Sequence, residues 1–589
     1  MIVFPFECVR RATTQHGHED FPVVENRARH RRFLGRWGSP CAAFCSLLLA
    51  SATTSAAEYY VSPTGNDSNA GTMAQPFATL SKANNAAGAG DTIWVRGGKY
   101  SLSTQLVLSK SGSSDANRTK IWAYAGEKPV LDASGYVTSN SAADVPVVLV
   151  TGSWMHLRGL EISNAKAGGS GSHSYSLLRT KNSSNNTFEL LDLHHGFGPG
   201  LFIDGGNGGN LILNCDSHDN YDQNGSQGDG QNGDGFGVHY QMSGPSTVVR
   251  GCRAWNDSDD GYDYISQEVP VITEGNFAMS NGRGGDGNGN GFKMGSSKTG
   301  IRHIIQNNVA WKNKAAGFYA NHSSGGNTWL NNTSYNNGTQ YNLLASPSGD
   351  TSQTIELTGA LAHKMRNNVG FPNKNTNMGG VDSASNSWDL NIAEASAAFE
   401  STSDAGCTGP REMDGRLPSA CTFMKLKEGS ALIDKGENVG LAFVGAKPDL
   451  GAYEFGAPSG GTTGGSGTGG AASGGSAGDT TGAAGVGALG GVSSNGGVPT
   501  AGEPGVGGNG FGGTVNGSAG IVNGVAGSTP NGAGAAGTST DDGAAAGCTC
   551  TVTSSGATRG GGLAAFALFG FVVRRRRRRR DLSDATQCR

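Results

Sequence analysis

The sequence predicts an all-β fold, a right-handed parallel β-helix, from three observations. A short cassette of residues recurs along the middle of the chain, and spacings of 24 residues recur between its copies, as from Cys252 to Asn276. Apolar runs are short and are separated by Gly and Asn, and no amphipathic helical stretch is evident. The period is too short for a β-propeller, whose repeats run to about 40 residues.

The cassette predicts what the inside of the solenoid contains. One coil of three short strands cannot cover its own apolar face, so stacked coils supply the core. A fixed corner position then becomes a ladder of side chains whose amides bond backbone at left-handed bends. We expect Asn276, Asn308, Asn332 and Asn368 to form this ladder. The aligned positions are Leu160, Cys215, Cys252, Asn276, Asn308, Asn332 and Asn368.

The cysteines within this region fall into two pairs with different expectations. Cys215 and Cys252 share the ladder register, so they are expected to be small buried residues of the ladder, with a bridge as the alternative. Cys407 and Cys421 flank a loop rich in Gly, Pro and Asp. In an exported chain, such a pair predicts a disulfide.

Composition divides the chain into four predicted segments. Residues 1–57 have the order of a secretory signal, with arginines, an apolar run and then Ser55-Ala56-Ala57, and cleavage is expected after Ala57. Residues 58–456 form the β-helix. Much of the excess in the 98 glycines lies in 457–547, a disordered linker rich in Gly, Ala and Ser. Residues 548–589 are a tail with three cysteines, a short apolar run and seven consecutive arginines.

Acidic side chains cluster at glycine-bordered corners of consecutive predicted coils. They are Asp234, then Asp259, Asp260 and Asp263 one coil later. Stacking brings such residues to within about 5 Å, roughly one strand spacing. Four converging carboxylates repel one another, and oxygen ligands suit Ca²⁺, so we expect a calcium site rather than four solvated turns. The histidines are scattered in the sequence, and no competing nitrogen-rich set is expected.

Lys293 is an isolated basic residue one coil beyond the acids. It could simply extend over the sheet into solvent. Alternatively, it could remove the weakly acidic proton beside the carboxylate of a uronic acid, a proton that bound Ca²⁺ would acidify. A lysine can act as this base if its pKa falls, and such an enzyme works best at alkaline pH. The chemistry would be β-elimination from an acidic polysaccharide.

Net charge constrains the partners. The chain carries a formal charge of −3. Residues 58–456 alone have 28 Lys plus Arg and 37 Asp plus Glu, so 28 − 37 gives −9. The region has no basic stripe, and nucleic acid is therefore excluded as an expected partner. An acidic protein that acts on an acidic polymer needs a bridging cation. Separately, we expect the protein to be a monomer.

Several of these motifs together resemble the family 9 pectate lyases. They include Asp234-Gly-Phe, Asp259-Asp260-Gly-Tyr-Asp263 and Gly289-Asn-Gly-Phe-Lys293. The resemblance runs from about Glu58 to Phe455 and implies a β-helix with an asparagine ladder. It also implies Ca²⁺ held by the four aspartates, Lys293 as the Brønsted base, and pectate (polygalacturonate) as the substrate.

The C-terminal tail resembles a different kind of element. Cys548-Thr-Cys550, a Gly/Ser/Thr spacer, an apolar run and the arginines are similar to the C-terminal sorting tags of myxobacterial surface proteins. This resemblance implies anchoring or processing at the cell envelope. The protein is therefore expected to be secreted, with attachment to the cell surface as a further expectation.

Two other functions are compatible with a β-helix. An inverting polygalacturonase would use an adjacent acid pair such as Asp259 and Asp260, but it also needs a Gly-His-Gly motif, which the sequence lacks, and an Arg-x-Lys motif near the cleft, which we do not expect. A non-catalytic adhesin would bind polysaccharide through a calcium-stabilised solenoid. The segment Gly284–Gly291 is similar to calcium-binding nonapeptide repeats, but it occurs once, whereas such repeats need tandem copies.

Overall fold

The computed structural model describes residues 56–136, 145–166, 171–296, 298–348, 350–393 and 396–457. In these residues the chain winds through three parallel sheets, and each complete coil adds one strand to the sheets of twelve, ten and nine strands in that order. Hydrogen bonds therefore join each strand to the equivalent strand of the next coil. The predicted right-handed parallel β-helix is confirmed.

Short strands of three to six residues make up each sheet. The twelve-stranded sheet contains Glu58–Val61, Thr92–Val95, Thr119–Ala123, Met155–Arg158, Thr187–Glu189, Leu211–Leu213, Thr247–Arg250, Val271–Glu274, Ile304–Gln306, Thr328–Leu330, Lys364–Arg366 and Asp382–Ala384. The ten-stranded sheet contains Gly98–Ser101, Pro129–Asp132, Glu161–Ser163, Asp192–His194, Asp216–His218, Arg253–Trp255, Phe277–Met279, Val309–Trp311, Thr333–Tyr335 and Val369–Phe371. The nine-stranded sheet contains Leu106–Leu108, Val148–Val150, Leu178–Lys181, Leu201–Asp204, Phe236–His239, Tyr262–Gln267, Phe292–Ser296, Ala316–Tyr319 and Thr339–Asn342.

One α-helix, Leu80–Ala86, covers the N-terminal end of the solenoid. The Thr79 hydroxyl accepts a hydrogen bond from the Lys82 backbone N–H, which caps the helix. The helix contacts the terminal strands Glu58–Val61 and Leu106–Leu108. Helix periodicity does not reveal so short an element, but the first coil stands at the end of the stack among the described residues, where a cover protects its apolar face. Short 3₁₀ helices span Asp115–Asn117, Ala133–Gly135, Gly359–Leu361 and Ser396–Ala398.

Among the described residues, none of the helices has both the length and the apolar character needed to cross a bilayer.

The interior is a column of stacked side chains. On the nine-stranded sheet, five buried aromatic rings follow one another from coil to coil with centroids 4.6–5.2 Å apart. That spacing matches the separation of adjacent strands, so each coil adds one ring to the stack. The rings belong to Phe236, Tyr262, Phe292, Phe318 and Tyr341.

The predicted asparagine ladder is present and one member longer than expected. Each amide Nδ2 donates to Oδ1 of the asparagine on the next coil, at 2.8–3.0 Å from Asn276 through Asn386. Each also donates to a backbone carbonyl, as Asn308 does to Thr273 at 2.9 Å. The residue before a ladder position has a positive φ, for example 64° at Gly275 and 55° at Asn307.

Both expectations for the cysteines are confirmed. Cys215 and Cys252 are free, fully buried and continue the ladder, with the Cys215 N–H 3.4 Å from the Cys252 sulfur. The Cys252 N–H in turn donates to Asn276 Oδ1 at 2.8 Å. Cys407 and Cys421 are joined by a disulfide.

A second ladder, which the sequence did not predict, contains one acid. Its members are buried at the turn between the ten- and nine-stranded sheets. Asn220 Nδ2 donates to Asp257 Oδ1 at 2.9 Å, and the Asp257 N–H donates to Asn281 Oδ1 at 3.1 Å. Asp257 Oδ2 has no hydrogen-bond partner among the described residues, and burial raises the pKa of this carboxyl well above its usual value. The members are Asn220, Asp257, Asn281, Asn313 and Asn337.

Candidate active site and metal centre

The candidate site lies on the outward face of the nine-stranded sheet. Side chains alternate along a strand, so with Tyr262 and Tyr264 pointing into the core, Asp263 between them points outward. Register pairs Asp263 with Lys293 on the next coil. The fold therefore places this acid and this base one strand apart.

Three further acids converge in the turns that lead into these strands. Carboxylate oxygens of Asp234, Asp259 and Asp260 lie within 4.8 Å of one another, and all three residues are buried. The Asp260 N–H donates to Asp234 Oδ1 at 3.1 Å. Asn290 holds Asp260 Oδ1 through its backbone N–H at 2.6 Å and its Nδ2 at 2.9 Å. These bonds fix the carboxylates without neutralising them.

Lys293 connects the acids. Its Nζ donates to Asp260 Oδ2 at 2.9 Å and to Asp263 Oδ2 at 3.1 Å, and only 12% of its side chain is exposed. The ammonium is thus bound by carboxylates rather than extended into solvent. The four predicted ligands gather as a set of three, with Asp263 joined to them through the lysine.

The electrostatics of this group are dominated by burial and like charge. Burial raises the pKa of Asp234 and of Asp259 well above the usual aspartate value, and repulsion from the neighbouring carboxylates adds to both shifts. Burial by itself would lower the pKa of Lys293, but the surrounding carboxylates outweigh it and raise that pKa well above its usual value. The pKa of Lys293 therefore shifts in the direction opposite to the one that base catalysis needs, because four acids surround one amine.

The donor set fits a divalent cation. One oxygen of Asp263, Oδ1, is buried and without a hydrogen-bond partner in the described part of the chain. Together with the three neighbouring carboxylates, it offers hard oxygen ligands from several coils, which is the chemistry that Ca²⁺ prefers. A cation here would also offset the repulsion that raises the aspartate pKa values.

Residues 59–368 match the family described as "Pel9A-like, right handed beta helix region". The chain belongs to the Pel9A-like β-helix family. The match includes all four aspartates and Lys293.

Known relatives of this Pel9A-like chain agree with the assignment. It is 34% identical over 440 residues to pectate lyase L of Dickeya dadantii (strain 3937), covering 72% of this chain and 96% of the relative. Among solved structures it resembles "Crystal structure of pectate lyase Pel9A", with a TM-score of 0.57 and 32% identity over 68% of this chain and 97% of that one. A structure titled "Rhamnogalacturonan lyase" gives a TM-score of 0.57 and 29% identity over 63% and 96%.

The predicted enzyme class, a polysaccharide lyase, is thereby confirmed. Membership of the Pel9A-like family favours this class over a hydrolase or a non-catalytic adhesin. The family assignment does not depend on the five site residues alone, because the match extends over most of the coils.

Other side chains line the same face of this Pel9A-like solenoid beside Asp263. His239 Nε2 lies 3.8 Å from Asp263 Oδ2, and the ring packs edge-on against Phe202 at 4.6 Å. The guanidinium of Arg179 lies 4.8 Å from the Phe202 ring centre and pairs with Asp204 at 2.7 Å. Sequence reasoning missed these residues, although His239 and Asp204 are in register on neighbouring strands.

The expectation that no nitrogen-rich ligand set exists is wrong. Asp192, His194 and His218 offer donor atoms that all lie within 4.8 Å of one another. His194 and His218 are 24 residues apart and in register on adjacent strands of the ten-stranded sheet. The same spacing that revealed the asparagine ladder therefore contained this cluster, but the histidine positions had not been aligned with it.

Proposed function

We propose that this enzyme is a calcium-dependent pectate lyase that cleaves polygalacturonate by β-elimination, with Lys293 as the base. The observation that carries the proposal is the placement of the Lys293 amine at 2.9 Å from Asp260 and 3.1 Å from Asp263, within a buried group of four aspartates. The pectate lyase names of relatives that are 32–34% identical over most of the chain support the substrate.

Asp234, Asp259, Asp260 and Asp263 would hold Ca²⁺. When bound, Ca²⁺ supplies positive charge that neutralises the uronate carboxylate and makes the adjacent C5 proton more acidic. The aspartates are fixed by hydrogen bonds such as that from the Asn290 N–H to Asp260, so their oxygens are already oriented. A bridging cation also lets an enzyme body of charge −9 (28 − 37 in residues 58–456) accept an acidic polymer.

Lys293 performs the proton transfer. The lone pair of its neutral Nζ takes the C5 proton of the uronate. The electrons of that C–H bond form the C4=C5 double bond as the C4–O glycosidic bond breaks, and the departing oxygen takes a proton from solvent. The surrounding carboxylates raise the pKa of Lys293. The base therefore acts only when that negative charge is compensated, and activity should rise toward alkaline pH.

The direct test is turnover of polygalacturonate by Lys293→Ala, followed by the ultraviolet absorbance of the C4=C5 product with and without a chelator. Loss of a general base predicts a fall of about 10²- to 10⁴-fold. Lys298→Ala is the matched control, because this exposed lysine lies 3.5 Å from Glu268 and away from the aspartates, and it should keep full activity. Substantial turnover by a folded Lys293→Ala protein would contradict the assignment of the base.

The rhamnogalacturonan lyase among the similar structures makes rhamnogalacturonan a second candidate substrate. The same assay should therefore be run in parallel on rhamnogalacturonan. We expect polygalacturonate to be cleaved faster. Faster cleavage of rhamnogalacturonan would change the assigned substrate. The role of Lys293 is tested separately, by the Lys293→Ala variant.

We further propose that the enzyme acts outside the cell, attached to the envelope through its tail. The disulfide between Cys407 and Cys421 supports an oxidising compartment. The signal region up to residue 55, the linker from residue 458 and the tail lie outside the described residues. N-terminal sequencing of the exported protein should begin at Glu58, and deletion of residues 548–589 should move activity from the cell surface to the medium. Activity that stays in the cytoplasm would contradict export.

A further inference from the structure

A cluster of histidines and carboxylates lies on the ten-stranded sheet, on different strands from Lys293. Strands Asp192–His194 and Asp216–His218 are adjacent, and register pairs His194 with His218. Their rings stack with centroids 4.8 Å apart and planes inclined by 15°. The solenoid thus presents two imidazoles side by side on its outer face.

Carboxylates face the same edge of both rings. His218 Nε2 lies 3.2 Å from Asp192 Oδ1, and His194 Nε2 lies 3.2 Å from Glu161 Oε1. Asp192 and Glu161 are themselves in register on neighbouring strands. Donor atoms of Asp192, His194 and His218 all lie within 4.8 Å of one another.

The opposite edge of each ring is occupied by an outer partner. His218 Nδ1 is 2.8 Å from Asp219 Oδ2, and His194 Nδ1 is 2.7 Å from the Nδ1 of His195. In both rings, therefore, the N–H can stand on Nδ1 while Nε2 keeps its lone pair. Histidine ligands of metals are normally held this way, with the second nitrogen bonded to an outer acceptor.

The ring of His218 is also fixed by packing. It stacks on Trp255 with centroids 4.1 Å apart and planes 9° apart. Trp255 is the residue in register with His218 on the next coil. A ligand held by both a hydrogen bond and a stacked ring loses little freedom on binding, which favours a preformed site.

From this geometry we infer a binding site for a divalent transition-metal ion of the zinc type, with Asp192, His194 and His218 as ligands and Glu161 completing the set. Imidazole nitrogens with carboxylate oxygens are the ligands of Zn²⁺ and its neighbours, whereas Ca²⁺ takes oxygen alone. The side chains of His194 and His218 are 16% and 17% exposed, which leaves a path for the ion.

The charges around the site are consistent with a bound cation. Lys128 Nζ lies 2.7 Å from Glu161 Oε2 and 3.8 Å from Asp192 Oδ2. The ammonium of Lys128 thus already contributes positive charge beside these carboxylates.

The ion would join three consecutive strands of the ten-stranded sheet, because its ligands come from Glu161–Ser163, Asp192–His194 and Asp216–His218. An ion that binds the folded chain and not the unfolded chain raises the free energy of unfolding. The site is thus expected to stabilise these coils independently of the lyase chemistry on the nine-stranded sheet.

The test is a calorimetric titration of tag-free, chelator-treated protein with Zn²⁺, repeated with Co²⁺ to record visible absorption bands. Wild type should bind one Zn²⁺ per chain at this site, give cobalt bands typical of nitrogen and oxygen ligands, and melt at a higher temperature with Zn²⁺. His194→Gln and His218→Gln should each lose this binding by at least about tenfold.

Two control variants separate the site from other metal binding. His173→Gln changes a half-buried histidine bonded to Ser226 and should bind Zn²⁺ as wild type does. Asp259→Asn alters the aspartate cluster and should also keep the Zn²⁺ site. Cooperative melting and intact polygalacturonate cleavage establish that the histidine variants are folded, and His194→Gln decides the matter if loss of the Trp255 stack unfolds His218→Gln. Absence of Zn²⁺ binding in wild type, or unchanged binding in folded His194→Gln, would overturn the inference.

Discussion

The asparagine ladder inside the solenoid and the aspartate cluster on the outward face of the nine-stranded sheet are both products of stacked coils, but their hydrogen bonding differs. In the ladder, Asn308 Oδ1 accepts from the N–H and the Nδ2 of Asn276, and its own Nδ2 has two acceptors. In the cluster, like charges converge on one amine, and Asp263 Oδ1 lacks a hydrogen-bond partner in the described structure. An asparagine side chain carries both a donor and an acceptor, so stacked asparagines satisfy one another's hydrogen bonds. Stacked carboxylates repel one another, and a cation is needed to offset that repulsion.

Between these two regions, the largest expected difference is in the turnover of polygalacturonate. Asp259→Asn should lower turnover of polygalacturonate by roughly 10²- to 10³-fold at limiting Ca²⁺, because it removes a charged ligand from the site. Its stability without metal should not fall, since one of the mutually repelling carboxylates becomes neutral. Kinetic assays over a Ca²⁺ series and thermal melting in a chelator measure the two quantities. Glu428→Gln, an exposed acid far along the chain, is the control and should change neither.

A substitution in the asparagine ladder should instead lower the stability of the fold. Asn308→Ala removes the oxygen that accepts two hydrogen bonds from Asn276 and leaves buried donors unpaired. The expected loss in the free energy of unfolding is about 2–3 kcal/mol, from the cost of unsatisfied buried groups. Denaturant melts give this value, and turnover per folded molecule should remain close to that of wild type. A ladder variant as stable as wild type would show that the ladder contributes little to the fold.

Added Ca²⁺ should distinguish the regions by its effect on melting. At about ten times the Kd, a ligand that binds only the folded state raises the free energy of unfolding by about 1.4 kcal/mol. We expect this gain in wild type and in Asn308→Ala, because the ladder is not part of the site, and we expect most of it to be lost in Asp259→Asn. Equal stabilisation of all three proteins would place the ion elsewhere.

The smallest expected effect is on the free energy of unfolding, when the single acid of the second ladder is replaced. Asp257 takes an asparagine position between Asn220 and Asn281, and its Oδ2 is buried without a hydrogen-bond partner in the part of the chain described here. Asp257→Asn would put an amide donor where the ladder elsewhere has one, and should raise the free energy of unfolding at neutral pH by about 1 kcal/mol. A destabilised Asp257→Asn protein would indicate that the carboxyl has a role that its ladder geometry does not explain.

The fold was predictable because the solenoid repeats one residue type at one spacing. Asn276 and Asn308 appear in recognisable copies of a cassette, and their ladder follows from stacking alone. The four aspartates were found for the same reason, since glycine-bordered turns fall on consecutive coils. Their division into a set of three and one acid bound through Lys293 depends on side-chain rotamers, which spacing does not determine.

The parts that were missed depend on contacts between different residue types. His194 and His218 are in register, but His194 is in a copy of the cassette with no Asn or Cys at the ladder position, so the repeat was not recognised there. The helix Leu80–Ala86 is too short for periodicity to indicate it, and only the uncovered end of the solenoid explains it. The raised pKa of Lys293 required distances, because burial and carboxylates shift a lysine in opposite directions.

The most direct test of the central claim is a crystal structure of the protein at millimolar Ca²⁺. The account predicts an ion coordinated by carboxylate oxygens of Asp234, Asp259, Asp260 and Asp263, with the Lys293 amine beside it on the same face of the nine-stranded sheet. Carboxylates with no ion between them at that concentration, or a Lys293 side chain turned away from Asp260, would contradict it.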